Sequence, residues 1–442
     1  MTALLPVPGL TEPVEPEPVR TEETLLPSGL RVIVVRRPTV PIVEVRLRIP
    51  FFSAQRSFRA PASLLSNSML TGTAAYDRAG LAVALGELGA DLSVGVDADR
   101  LLLASSVLAT GLPALLRLYA EVLTEASYPE AEVSGERERL IERITISRSS
   151  AGTIAGEALA QRMAPSHPYG QTLPDTDEVA AVDAPELRAL HTQRVLPAGA
   201  TLVLVGDLSP DSALDAVQAA LAGWTEPSTG REAVAQTPVP ALRQLPLLVL
   251  DRPGSVQTAF RFGGVAVPRD DPRYPALQLA NLAFGGYFSS RWVENIRERQ
   301  GYSYSPRSYL DHAALASSFG LAADVATDVT APAVLETLYE LGRICLLPIT
   351  GSELESVRQY AIGSLALSTS TQAGLASTIS ALAGCGLDVD WLTSHPRKLL
   401  QVTAEQVAGA AAEFLAPSKL VGVAVGDLDK ISTPLARILE IE

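Results

Sequence analysis

The chain has 442 residues, 47% of them apolar and 19% charged, with a formal net charge of −14. That length suits two to four domains and the apolar share suits a packed core, while the acidic balance excludes a nucleic-acid binder, which needs clustered Lys and Arg. With two cysteines, Cys345 and Cys385, no secretory signal and no run of about 18 apolar residues, we expect buried free thiols and a cytoplasmic protein that neither crosses nor binds a membrane.

Residues 1–22 are rich in Pro and Glu and read as a flexible tail. Folding is expected to start near Leu25, where LPSGLRVIVVRR reads as a turn then a strand, followed by PIVEVRLRI as a strand of alternating character. A helix then leads through Pro197 to the apolar strand TLVLV and to Val205-Gly206-Asp207-Leu208. Residues 226–245, with Pro, Gly, Ser and polar residues, read as a linker. Beyond it, Arg252-Pro253 precedes the strand VQTAFRFGGVA. Next comes NLAFGGYFSSRWVENIRERQGYSYS, residues 281–305. There Gly285 and Gly286 open a helix-like run, and a Gly-led turn delivers Tyr304 seven residues after Arg297. The apolar runs near Ala313 and Ala411 read as core faces, and Trp224, Trp292 and Trp391 as packing residues.

The chain repeats itself. Val205-Gly206-Asp207-Leu208 recurs as Val425-Gly426-Asp427-Leu428, 220 residues on, with Pro197 and Pro417 at the same offset. Arg37-Pro38 and Arg252-Pro253 precede strands at an offset of 215. Several matches in one order indicate duplication. The expected fold is therefore α+β, with two homologous α/β halves at residues 23–225 and 246–442, each an antiparallel-rich sheet flanked by helices.

Read in isolation, Arg297 and Tyr304 are a salt-bridged helix Arg and a half-buried strand Tyr. The glycine pair, the SSR turn and the seven-residue spacing change that reading: residues 281–305 resemble the glycine-rich loop and Arg/Tyr pair of the insulinase/pitrilysin-type zinc metallopeptidases, the family that includes the mitochondrial processing peptidase. LPSGLRVIVV, GELGADLSVGVDAD and HPYGQTLPDTDEV extend the resemblance over the N-terminal half. It implies two halves facing each other like an open clam. It also implies catalytic and substrate-binding roles for Arg297 and Tyr304, and substrate binding at Gly285 and Gly286. An Arg fork and a phenol are donors suited to the carbonyls of an extended peptide.

In active members a helix carries His-x-x-Glu-His, which places two imidazoles on one face with a Glu as base. The matching segment here is ASLLSNSMLTGT, residues 62–73, with Ser63 and Asn67 at the metal positions and Ser66 at the base position. The third ligand, a Glu in the family, aligns with Arg143, one residue after Glu142. Hydroxyls and an amide are poor zinc ligands and cannot take a proton from water at neutral pH. His167, His191, His312 and His395 are dispersed, and structural or surface roles are expected for each. The implied reading is a subunit without metal that pairs with a zinc-binding homologous subunit as a heterodimer and acts on peptides, leader peptides among them. A catalytically inert scaffold subunit of a larger complex is the alternative.

Overall fold

The computed structural model describes residues 18–226 and 238–442. Most of the expected tail and linker, residues 1–17 and 227–237, lies outside the described residues. The strand reading needs one correction. Glu22–Leu25 already forms a strand, β1, paired antiparallel to β2 (Arg31–Arg36). The segment EETL has no apolar alternation to announce it, because an edge strand exposes most of its side chains.

Six strands build the N-terminal sheet in the order β1-β2-β6-β3-β5-β4, with β3 Ile42–Pro50, β4 Ser93–Val96, β5 Arg100–Leu108 and β6 Thr201–Gly206. Five build the C-terminal sheet in the order β7-β11-β8-β10-β9, with β7 Leu248–Asp251, β8 Gln257–Ala266, β9 Arg307–His312, β10 Ser317–Ala326 and β11 Val421–Gly426. Apart from β1 the two orders are the same. β2 runs parallel to β6 as β7 does to β11, and every other pairing is antiparallel.

The repeated Gly206 and Gly426 end equivalent strands where a neighbour comes close. A Cβ at Gly206 would sit 2.1 Å from the Ile42 carbonyl oxygen, and one at Gly426 2.4 Å from Thr258 Oγ1. Arg46 and Arg261 are equivalent as well. Arg46 Nη1 donates to the carbonyls of Val45 and Ser105 at 3.0 and 3.1 Å, and Arg261 Nη1 to those of Phe260 and Ala323 at 2.9 Å each.

Strand periodicity assigns the two faces of each sheet to different partners. Val32, Val34, Leu202 and Leu204 point into the N-terminal core, under the half's own helices. Their neighbours Ile33, Val35, Val203 and Val205 pack instead against Leu375, Ala376, Ile379 and Leu382. These four lie on the helix Gln372–Gly384, which belongs to the other half. The arrangement is reciprocal. Ala155 and Leu159, on the N-terminal helix Ala151–Met163, pack on Ala259, Val421, Val423 and Val425 of the C-terminal sheet. Each half thus lends one helix to cover the other's sheet.

Polar contacts reinforce the exchange. Arg37 donates to the carbonyls of Thr369 and Ser370 at 2.7 and 2.9 Å, and Gln372 donates back to the carbonyl of Arg37 at 2.5 Å. The run near Ala313, read as a core face, is corrected here. Ala313–Ala316 is the tip of the β9–β10 hairpin, closed by Ala313 N–H to the Ala316 carbonyl. It docks on the N-terminal half, where Asp99 accepts from Ala314 N–H at 2.9 Å and Tyr169 Oη from Leu315 N–H at 3.1 Å. Four alanine and leucine residues fit a tight apolar docking tip as readily as a helix face. Among the described residues no helix is long and apolar enough to cross a membrane.

Candidate functional site

The helix Tyr274–Asn281 widens into a π-helical turn, Leu282–Gly286, at the glycine pair. Both glycines stand where a side chain would be crowded. A Cβ on Gly285 would meet the Trp292 ring at 2.8 Å and Ser308 Oγ at 2.9 Å, and one on Gly286 would meet Asn281 Nδ2 at 2.9 Å. Gly285 is buried and Gly286 half-buried.

The next helix, Arg291–Val293 continuing as the π-turn Glu294–Arg299, is bolted to the core. Trp292 is buried, stacks on Phe284 with ring centroids 5.3 Å apart, and donates Nε1–H to Thr337 Oγ1 at 3.0 Å. Asn295 Nδ2 donates to Glu336 and Glu340 at 2.8 and 3.0 Å. Arg291 makes a two-toothed pair with Glu353 at 2.8 and 2.9 Å. That bond holds the Glu353 carboxyl down to about 2.

The chain leaves this helix through Gly301, whose left-handed φ of +66° suits a residue without a Cβ. Tyr302 N–H reaches back to the Ile296 carbonyl at 2.8 Å, and Ser303 Oγ donates to the Asp324 carbonyl at 2.8 Å. Tyr304 follows on this pinned turn.

The structure brings Arg297 and Tyr304 together and adds a third member. The Arg297 guanidinium lies 4.8 Å from the centre of the Tyr304 ring and 4.7 Å from that of Phe288. Tyr304 is 82% exposed and Phe288 59% exposed, so two large rings are held in solvent around one cation. Arg297 Nε lies 3.1 Å from a Glu298 oxygen. Among the described residues, neither its Nη donors nor the Tyr304 hydroxyl makes a hydrogen bond. The two flanking rings restrict the guanidinium, whose donors all lie in one plane. Tyr304 is therefore no half-buried strand residue. Nothing in the residue spacing pointed to Phe288, although it stands in the same Gly-Gly-Tyr-Phe segment.

Ser63, Ser66 and Asn67 lie far along the chain, on the helix Arg59–Ser68. Ser63 and Asn67 are half-buried one turn apart, and Ser66 is buried with its Oγ donating to the Ser63 carbonyl at 3.0 Å. This helix packs on the helix Glu130–Arg148, where Arg143 and Glu142 are both exposed. A spent hydroxyl, a second hydroxyl, an amide and an outward Arg do not fit zinc. Among the described residues, no three His, Cys, Asp or Glu side chains converge as a metal site.

The histidines serve packing. His191 is buried between Tyr128 Oη at 2.7 Å and the Leu123 carbonyl at 2.8 Å. His167 accepts from Tyr169 N–H at 3.1 Å. His395 stacks on Trp391 with centroids 4.1 Å apart and contacts Gln278 Oε1 at 2.6 Å, and burial lowers it to about 3. His312, bonded to Ser317 Oγ at 2.8 Å, is lowered by burial to about 4.

Comparison with known proteins agrees with this geometry. Residues 181–360 match the family model described as the peptidase M16 inactive domain. An uncharacterized zinc protease of Streptomyces coelicolor is 22% identical over 67% of this chain and 66% of its own length. One of Mycobacterium leprae is 24% identical over 65% of each. Those two alignments thus span just under two-thirds of the relatives' lengths. One of Mycobacterium tuberculosis H37Rv is 23% identical over 91% of this chain and 92% of its own. The crystal structure of a peptidase M16 inactive domain from Pseudomonas fluorescens superposes with a TM-score of 0.84 at 22% identity, covering 92% of this chain and 98% of that one. A protease from Helicobacter pylori gives 0.85 at 16%, covering 93% and 100%. The family resemblance and the α+β fold of two homologous halves are borne out.

Proposed function

We propose that this chain is the substrate-binding subunit, without zinc of its own, of a heterodimeric zinc metallopeptidase that cleaves peptides. The observation that carries the reading is the exposed stack of Phe288, Arg297 and Tyr304 on a helix tied to the core by Trp292 and Asn295. Holding two aromatic rings and a cation in water has no packing rationale, whereas a fixed, outward set of donors suits the carbonyl oxygens of an extended peptide. The match to an inactive domain and the unfit donor set at Ser63, Ser66 and Asn67 support assigning the metal and its water to a homologous partner. In the pair, Arg297 and Tyr304 donate to substrate carbonyls and to the oxygen that gains charge as the peptide bond is attacked. Gly285 and Gly286 serve the substrate indirectly, by letting the platform pack.

The test is co-expression with the homologue of the same genome that bears His-x-x-Glu-His, followed by steady-state cleavage of a peptide library that includes leader peptides. Arg297→Ala and Tyr304→Phe should each lower turnover by about 10²–10³, the range for loss of one oxyanion donor, with assembly and zinc content unchanged. A rise in KM alone would make them substrate anchors. Wild-type kinetics in both variants, or stoichiometric zinc and cleavage by this chain alone, would overturn the reading.

A further inference from the structure

The helix Thr330–Leu346 supports the Arg297 platform and is built inside out. Its charged residues bond inward or to each other: Glu336 and Glu340 accept from Asn295, and Glu340 pairs with Arg343 at 3.2 Å. Every exposed position on it is apolar: Pro332, Leu335, Tyr339 and Leu346. Leu335 is 52%, Tyr339 59% and Leu346 80% exposed. With half-exposed Gly342 these residues are spaced three, four, three and four apart, the rhythm of a seam that packs against another helix. A Cβ on Gly342 would meet nothing within 4 Å, so the chain's own packing does not demand a glycine there.

The duplication supplies an internal control. In the N-terminal half the helix Leu112–Thr124 likewise follows a strand and a short 3-10 turn. Its exposed positions are Pro113, Arg117 and Thr124, an ordinary solvated face. Only the C-terminal copy presents an apolar seam.

The seam is continuous with the site. Leu347, also exposed, lends its carbonyl to Arg291 at 3.2 Å, Arg291 grips Glu353, and the Tyr287 ring, beside Phe288, packs tilted against that of exposed Tyr360 with centroids 4.8 Å apart. Leu335, Tyr339, Leu346, Leu347, Phe288 and Tyr360 together present on the order of 700 Å² of apolar surface, near the ~800 Å² per partner of a standard interface and above what a monomer ordinarily leaves bare. A second copy is a poor occupant, since each chain carries a net charge of −14 and like charge opposes pairing.

We infer that the outward face of residues 330–347 is the docking surface for a helix of the zinc-bearing homologous subunit, which it would set beside Arg297. The inference rests on the proposed heterodimer and assigns its contact surface. The test uses the full chain, the co-expressed homologue bearing His-x-x-Glu-His, and the variants Leu335→Glu, Leu346→Glu and their double. Because both side chains are exposed, the variants alone should keep the wild-type circular dichroism and melting temperature. Pairing measured by sedimentation should weaken roughly 30-fold or more for the double variant, as for a hot spot. Gly342→Leu should weaken pairing too, and Val83→Glu, on an exposed position of the other half, should not. A double variant that pairs like wild type overturns the assignment and leaves the heterodimer standing. A wild-type chain that never pairs with the zinc subunit overturns both. Self-association of the wild type, lost in the double variant, would give the seam to a second copy and also overturn it.

Discussion

Replacing Ile379 by alanine tests whether the exchanged helices hold the two halves together. Ile379 is buried on the helix 372–384 against Ile33, Val35, Val203 and Val205 of the N-terminal sheet. The change removes three carbon atoms, about 2.4 kcal/mol of transfer free energy at about 0.8 per methylene, and the cavity left behind adds roughly 1 kcal/mol more. The expected cost of about 3–4 kcal/mol falls on a contact between halves, so both should feel it. Trp224, buried in the N-terminal half, and Trp292, buried in the C-terminal half, report on them separately. Urea titrations of two variants, each keeping one of these tryptophans and replacing the other two by Phe, would follow each half. With Ile379→Ala the Trp224 transition should move to lower urea and separate from that of Trp292, because the N-terminal sheet loses part of its cover. A loss confined to the Trp292 transition, or no shift in either, would refute the reasoning.

Further outcomes are expected. Gly285→Ala places a methyl 2.8 Å from the Trp292 ring, so it should destabilise by about 1–3 kcal/mol and perturb Trp292 fluorescence. Phe288→Ala should leave the melting temperature near wild type, since the ring is exposed, yet slow peptide turnover of the proposed heterodimer by freeing Arg297, and Phe288→Tyr should restore it. Acid should destabilise the chain in two stages. His395 and His312, held at about 3 and about 4 by burial, stay neutral while the unfolded chain gains protons, so stability falls as pH drops below about 6.5, and His395→Gln should make the loss between pH 7 and 4.5 smaller in urea titrations, with the share of His312 remaining. Glu353, held at about 2 by Arg291, contributes stability above about 4.5 that is lost as pH falls toward 2, and Glu353→Gln should reduce the pH dependence of this second stage, which Asp271, lowered by its bond to Arg273, shares, while lowering stability at pH 7.

Much of this was legible in the residues. Continuous apolar runs such as TLVLV announced strands, and the structure buries those strands along their whole length. The recurring Val-Gly-Asp announced the duplication, and the close approach at Gly206 and Gly426 explains its persistence. What covers the second face was not legible, because burial leaves the same mark on a strand whichever element supplies it. The Arg297–Tyr304 proximity followed from spacing and family resemblance, whereas Phe288 did not, since stacking on a guanidinium leaves no periodic trace. The outward seam on residues 330–346 was hidden for a similar reason: an apolar helix reads as core until its neighbours show which side faces water.

The reciprocal helices also set a timetable for biosynthesis. Val205 leaves the ribosome 170 residues before Leu375 (375 − 205 = 170), the first of the four helix residues that will pack on it. At about 5–20 residues per second that is an interval of roughly 10–30 s. Throughout it, the N-terminal sheet must wait with Ile33, Val35, Val203 and Val205 bare, a greasy ledge that invites chaperones or aggregation. Expression of this protein should therefore respond more to chaperone supply and translation speed between residues 206 and 384 than to anything at the stack of Phe288, Arg297 and Tyr304.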